Sequence, residues 1–268
     1  MTQDTWNPAQ YKKFGPERAR PFDDLLALVD PAPGGRRIEH AVDLGCGTGE
    51  LTALLHEHLG AVDTLGLDSS AAMLEQARPR QGGGLRFELG DIAAFDAPGQ
   101  FDVVFSNAAL HWIPDHPRLL ARLRAALRPG AQLAVQVPAN ADHPSHALAF
   151  EVAHQPPFAA ALQAAGDTLA EATPVLPPER YAALLDALGF ADQHVRLQVY
   201  GHHLASTADV VEWTRGTTLT RYERGLPPEL YTEFLARYRL RLLETLGDEA
   251  PYFYTFKRLL FRARLADP

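Results

Sequence analysis

Val42-Asp43-Leu44-Gly45-Cys46-Gly47-Thr48-Gly49 is the stretch that decides the fold. An apolar run ends in an acidic residue, and Gly-x-Gly-x-Gly then passes directly into the helix-forming Glu50-Leu51-Thr52. Glycines at such a junction adopt dihedrals that other residues resist, and they let a ligand come close to the main chain. Taken alone, the turn reads equally well as a tight strand-to-helix connection with no ligand.

The text around it repeats the same rhythm. Ala41–Leu44 reads as a strand, Glu50–Leu59 as a helix, Val62–Leu67 as a strand and Ala71–Arg78 as a helix. Arg86–Leu89 and Phe101–Phe105 are further strands, Pro117–Leu127 a helix and Gln132–Val137 a strand. Strands alternating with helices through short loops predict a doubly wound, mostly parallel α/β sheet with helices on both faces. Residues 38–140 are therefore read as a cofactor-binding α/β core. Residues 1–37 form a lead-in or lid segment, with a helix through Phe22–Val29 that stops at Pro31. Residues 141–268 form a helical C-terminal elaboration, with terminal strands at Val195–Tyr200 and Tyr252–Leu265 completing the sheet. Within it, 141–192 is alanine-rich and helical, broken at Pro156-Pro157 and Pro177-Pro178, and helices follow at Val210–Arg215 and Pro228–Leu246.

Polar residues stand at the end of each core strand in turn. Asp43 closes the first. Asp68, followed by Ser69, closes the second 25 residues later, where a carboxylate can take both hydroxyls of a ribose. Asp91 follows the third, placed for a purine edge, with Ile92 to pack on the purine face. Asn107-Ala108-Ala109-Leu110-His111-Trp112 follows the fourth. Carboxyl ends of consecutive strands are where such sheets bind ligands, whereas each aspartate taken singly reads as a helix cap or a solvated turn.

The kind of nucleoside follows from charge. A dinucleotide turn is Gly-x-Gly-x-x-Gly, with the pyrophosphate on a helix N-terminus. Here the third glycine comes one residue early, Glu50 opens the helix, and Asp43 suits an ammonium group. S-adenosylmethionine, with an amino-acid end, a sulfonium and no phosphate, meets these demands; NAD does not.

Composition narrows the partners. With 25 Lys and Arg against 33 Asp and Glu, the net charge is -8, which disfavours a nucleic-acid partner. One cysteine, Cys46, excludes an intramolecular disulfide and a cysteine-rich metal site, and His202-His203 lack carboxylate or cysteine neighbours at ligand spacing, so no metal is expected. No apolar run is long enough for a membrane helix, and the first residues do not read as a secretory signal, so a cytoplasmic location is expected.

Val42–Gly49, Asp68, Asp91 and Phe101–Asn107 together resemble the motif series of class I methyltransferases, and the chain as a whole resembles the trans-aconitate 2-methyltransferase family. The family-specific blocks are Trp6-Asn7-Pro8 with Tyr11 and Phe14, Glu17–Pro21, His111–His116, Leu133–Pro138 with Asn140, and Pro144-Ser145-His146. Tyr200 with His202, Glu212-Trp213, Gly216-Thr217 and Phe256 with Arg258-Leu259 continue the likeness to the C-terminal end. The sequence departs from the family at Thr220-Arg221-Tyr222, at Lys257, at Arg196 and Gln198, and through Glu151–Ala172, all on the substrate side.

The resemblance implies a Rossmann-like enzyme that forms a methyl ester on a small polycarboxylic acid, trans-aconitate foremost, with the methyl group taken from S-adenosylmethionine. Asp43, Gly45, Cys46, Gly47, Asp68, Ser69, Asp91, Ile92, Asn107, Ala108 and Trp112 would hold the cofactor. Trp6, Tyr11, Arg18, Arg20, His111, Trp213, Arg221, Tyr222 and Arg258 would hold the acid, since its non-reacting carboxylates call for Arg, His or Tyr. No catalytic base is expected, because a carboxylate is already ionised at neutral pH. The competing explanations are a solvated helix face or a Glu17 pair for Arg18 and Arg20, an edge position for Arg258, and packing beneath the cofactor for His111-Trp112. Alternatives for the whole chain are a methyltransferase acting on another small metabolite or a carrier-bound malonyl group, an NAD-dependent dehydrogenase, and a cofactor sensor without chemistry.

Overall fold

The structure, a computed structural model, describes residues 15–169 and 175–267, with side chains from Arg20 onward. Five parallel strands form the centre: β1 (His40–Leu44), β2 (Asp63–Asp68), β3 (Leu85–Leu89), β4 (Phe101–Asn107) and β5 (Leu127–Pro138). Two antiparallel strands, β6 (Phe190–Leu204) and β7 (Tyr252–Leu265), extend the sheet. Its order is β3-β2-β1-β4-β5-β7-β6. The chain reverses direction about β1, the first strand, which lies between β2 and β4, so a crevice opens at their carboxyl ends.

Helices cover both faces because the central strands are apolar on both. On one face Val42, Leu44, Val104, Leu133 and Val135 pack with Leu119, Leu120 and Leu123 of α4 (His116–Ala126) and with Tyr181 and Leu185 of α7 (Pro178–Ala187). On the other, Ala41, Val103, Phe105, Ala134 and Leu260 meet Phe22 and Leu25 of α1 (Gly15–Leu26) and Leu55 and Leu59 of α2 (Glu50–Leu59). The short α3 (Ala71–Ala77) is capped by Ser70, whose hydroxyl accepts from the Met73 N–H at 3.2 Å.

A further cluster gathers α5 (Pro144–Ala153), α6 (Phe158–Ala164), α8 (Asp209–Arg215), α9 (Thr220–Gly225) and α10 (Pro228–Leu246) around the far ends of β6 and β7. Phe234 is its centre, meeting Phe158 at 5.4 Å and Tyr222 at 4.9 Å between ring centroids.

Three elements differ from the sequence expectation. Helix α1 begins earlier than Phe22, runs through Pro21 and ends at Leu26, where i→i+3 bonds from Leu28 and Val29 tighten the chain. Gln132 then clasps Asp30 at both backbone groups, at 3.0 and 2.8 Å, which fixes this segment to β5. Strand β5 starts at Leu127 rather than Gln132, with a register shift opposite Phe101–Val103 that accommodates Pro129-Gly130. Strand β6 spans fifteen residues rather than the six of Val195–Tyr200, because β7 pairs with it along its whole length.

The Phe22 ring stands edge-on to Phe105 at 5.7 Å, and both are fully buried. Phe22→Ala should lower the free energy of unfolding by about 3–5 kcal/mol. A urea titration showing a loss below about 1 kcal/mol would mean that α1 is not docked on the sheet as described.

Candidate active site

At the end of β1 the Asp43 carboxylate is buried. Its Oδ2 accepts from the Thr52 hydroxyl of α2 at 2.6 Å, while Oδ1 has no hydrogen-bond partner among the described residues. Burial pushes its pKa up to about 7, the Thr52 bond opposes this, and the charge of Asp68 adds to it. A carboxylate in that position calls for a cation or an N–H group.

The glycine turn beyond it is pinned to β2, with the Gly45 and Cys46 N–H groups both donating to the Leu67 carbonyl at 2.8 and 3.1 Å. Gly45 has φ +84°, and a Cβ there would lie 2.2 Å from the Cβ of Ala109, so the β1 and β4 loops touch with no room for a side chain. Gly47, at φ +55°, has nothing within 4 Å of the same point and faces open space. The Cys46 thiol is buried, and that burial, with the nearby Asp43 and Asp68 charges, raises its pKa; it is an inert part of the wall.

Asp68 is held rigidly at the end of β2. Its Oδ2 accepts from the Gly47 N–H at 2.8 Å and its Oδ1 from the Ser70 N–H at 2.9 Å. Each oxygen keeps a lone pair for a vicinal diol. Ser69 is exposed beside it. Asp91 is exposed and accepts from the Ala93 N–H at 2.8 Å, starting a short turn whose Ile92 is buried. Asn107 accepts from Gln136 Nε2 at 2.6 Å, and Ala108 takes an uncommon φ of +55° while its N–H donates to the Gln136 carbonyl. Trp112 is 59% exposed, with its ring 4.6 Å from that of His111. The sequence-predicted residues of this half therefore line the carboxyl ends of β1 to β4 in order. Glu50, expected to repel a phosphate, is paired with Arg80 at 2.9 Å.

The expected acid-binding residues divide into groups. Trp6 and Tyr11 lie outside the described residues, as does the side chain of Arg18. Arg258 of β7 sits opposite Pro138 at the end of β5, and its charge reaches both His111 and His146. Trp213 is buried against His202 at 4.4 Å, Tyr254 at 5.4 Å and Phe256 at 5.5 Å. Arg20 lines a cavity of about 290 Å³ with Tyr200, Gly201, His202, His203 and Phe256.

Arg221 and Tyr222 are engaged elsewhere. The Arg221 guanidinium forms a two-bond pair with Asp167, one bond measuring 2.6 Å, and Tyr222 is packed on Phe234. Asp167 lies in the stretch with little likeness to the family, so nothing in the sequence tied it to Arg221.

A hydrogen-bonded chain holds the His111 turn. The Leu176 N–H donates to the Tyr181 hydroxyl, which donates to His116 Nδ1, and His116 Nε2–H donates to the Leu110 carbonyl at 3.0 Å. Only one tautomer satisfies it, since a carbonyl accepts alone. Among the described residues no three His, Cys, Asp or Glu side chains form a metal-holding group, and no helix is long and apolar enough to cross a membrane.

The crevice thus pairs an acidic half, suited to an ammonium group and a diol, with a half walled by Arg258, histidines and aromatic rings. Residues 41–130 match the family model described as "Methyltransferase domain". A trans-aconitate 2-methyltransferase of Deinococcus radiodurans is 46% identical over 97% of this chain and 98% of its own length. One from Methylobacterium nodulans is 43% identical over 97% and 98%. The crystal structure of the YcgJ protein from Bacillus subtilis superposes with a TM-score of 0.57 at 15% identity, over 93% of this chain and 99% of that one, a likeness of fold.

Because the Asp43 pKa is raised on folding, the native state holds an extra proton between about pH 4 and pH 7. Wild-type stability therefore falls as pH rises through that window. Asp43→Asn keeps an acceptor for Thr52 and removes the charge, so it should be more stable than wild type by roughly 2–4 kcal/mol at pH 8, with the gap closing toward pH 4. Denaturant titrations at several pH values check this; an Asn variant no more stable at pH 8 contradicts the burial of an unsatisfied charge.

Proposed function

The chain belongs to the trans-aconitate 2-methyltransferase family, and from that premise we propose that it esterifies one carboxylate of trans-aconitate with a methyl group taken from S-adenosylmethionine. The products are the methyl ester and S-adenosylhomocysteine. The observation that carries the reading is the buried Asp43 carboxylate, with one oxygen undonated, beside the open face of Gly47 and the fixed Asp68.

The residues present fit the cofactor. Asp43 would take its ammonium group, the backbone of Gly45–Gly47 would lie along its amino-acid end, and Asp68 would take the ribose hydroxyls. Asp91 and Ile92 would meet the base, and Asn107, Ala108 and Trp112 would close the far wall. When bound, S-adenosylmethionine supplies a methyl group already activated on a sulfonium, with a neutral thioether as leaving group.

The protein's own work is then orientation. An acid acceptor is ionised at neutral pH, so no side chain need remove a proton from it. Arg258 supplies the fixed charge that draws a carboxylate to the end of β5, and the His111 turn and the Trp213 cluster bound the space beside it. Holding a nucleophile in line with the methyl group and keeping water out is worth several orders of magnitude in rate. Arg18 and Arg20 of α1, with Trp6 and Tyr11 earlier in the sequence, are assigned to the same acid side. Arg221 and Tyr222 stay in the proposal as supports of the wall, acting through Asp167 and Phe234. The expected cytoplasmic location agrees with two dissolved metabolites as ligands.

Incubation with methyl-labelled cofactor and a panel of acids tests the reading. Label should appear as a small-molecule methyl ester with trans-aconitate. Label found only on a carrier protein, or with no acid, would defeat it. Calorimetry should show S-adenosylhomocysteine binding, weakened at least about tenfold by Asp68→Ala through loss of two charge-assisted hydrogen bonds. Thermal stabilisation by NAD instead would place the chain among dehydrogenases.

A further inference from the structure

We propose that His146, on the first turn of α5, joins His111 and Arg258 in a three-point seat for a polycarboxylate, with Arg258 the cation of the three and the two imidazoles neutral hydrogen-bonding partners. The inference rests on the function proposed above and names which residues of the acid half read the substrate.

Three elements far apart in sequence converge there. The His111 turn leaves β4 just after Ala108, whose N–H is bonded to the Gln136 carbonyl of β5. Strand β5 then ends at Pro138, opposite Arg258. The link from β5 to α5 hugs β7, because the Ala139 N–H donates to the Lys257 carbonyl at 3.0 Å and Asn140 Oδ1 accepts from the Lys257 N–H. Helix α5 therefore begins against β7, where Ser145 Oγ lies 3.4 Å from the Tyr254 hydroxyl and the His143 ring stands edge-on to Tyr254 at 5.1 Å. The Arg258 charge acts both on His111 of the β4 turn and on His146 at the start of α5.

Both histidines are set in place by that packing. The Nδ1 of His111 is buried with no hydrogen-bond partner among the described residues, a cost that a ligand group would remove. His146 Nδ1 is 3.0 Å from Ser145 Oγ, and Ser145 is itself fully buried. His143 Nδ1 accepts from the Ser145 N–H at 3.1 Å and lies 2.9 Å from the Ser145 hydroxyl, so His143 is occupied in capping α5 while His146 shares only the hydroxyl.

The electrostatics agree with this assignment. Burial, then the Arg258 and His116 charges, depress the His111 pKa to about 3. Burial, then His143 and Arg258, depress that of His146 to about 4, against a small opposing effect of Asp142. Both rings are uncharged at neutral pH. They can then meet carboxylate or carboxyl oxygens without adding positive charge beside a sulfonium cofactor. Asp142 is turned to Lys257, which leaves the seat free of a competing carboxylate from that loop.

The test is acid affinity in the presence of saturating S-adenosylhomocysteine, read by calorimetry with trans-aconitate, a dicarboxylate and a monocarboxylate. Turnover does not enter, so failure of methyl transfer would strike the function above and leave this measurement standing. His146→Ala and His111→Ala should each weaken trans-aconitate binding by about tenfold to a hundredfold, with the monocarboxylate affected far less. S-adenosylhomocysteine affinity should hold within about twofold. His146→Gln, which keeps a neutral donor, should recover part of the loss, and its melting temperature identifies any alanine variant that merely unfolds. Arg258→Lys should weaken all three acids because the two-pronged guanidinium is lost. If His146→Ala leaves trans-aconitate affinity within about twofold, or weakens all three acids equally, His146 is a helix residue and not part of the seat.

Discussion

The Asp43 carboxylate is withdrawn from water at the end of β1, with one oxygen held by Thr52 and the other given no donor. A second carboxylate, Asp68, stands close enough to raise its pKa further. Left as it is, this pair costs folding free energy, and the cores on both faces of the sheet must offset it. A ligand bearing an ammonium group relieves that cost only in the native state, so binding and folding stability are coupled through this side chain. The glycine turn follows from the same constraint. The Gly45 and Cys46 N–H groups are both spent on Leu67, and that fixes the main chain where Gly47 faces open space.

Insertion of β7 between β5 and β6 completes the other half. Antiparallel pairing sets Arg258 opposite Pro138, at the carboxyl end of β5. Without β7 the edge of β5 would lie open, and Arg258 would have no fixed relation to His111. The Leu176–Tyr181–His116–Leu110 chain ties α7 and the residues before it to the His111 turn. It passes through two buried polar side chains, each fully satisfied, and that makes it rigid as well as tolerable in the core.

The positions of Asp43, Gly47 and Asp68 at the carboxyl ends of β1 and β2 were legible in the sequence because their signals are local. Each apolar strand ends in a polar residue, and glycines punctuate the first turn, so Asp43, Gly47 and Asp68 fall where periodicity puts them. The full length of β6 was hidden because an edge strand half-open to water carries Asp192, Gln193, His194 and Gln198 among its apolar residues. Arg221 was visible as a charge near a tyrosine, but its partner Asp167 lies 54 residues away in a tract without recognisable pattern. His146 stood within a family block, yet the block alone does not reveal that α5 starts against Arg258. That depends on the Lys257 to Asn140 contact between distant segments.

The two halves also sort their ligands by charge. In the proposed reading Asp43 and Asp68 would attract a cation and repel a carboxylate, while Arg258 would do the reverse, so neither ligand would be stable in the other's place. Charged imidazoles beside Arg258 would hold the acid more tightly, but they would raise the potential where the sulfonium would sit. Burial of His111 and His146 beside Arg258 avoids this conflict, because each ring loses its proton and keeps its hydrogen-bonding edge. In the proposed reading a chain with a net charge of -8 receives an anionic substrate through Arg258 at the end of β5 and the arginines assigned to the α1 side, with neutral groups completing the recognition.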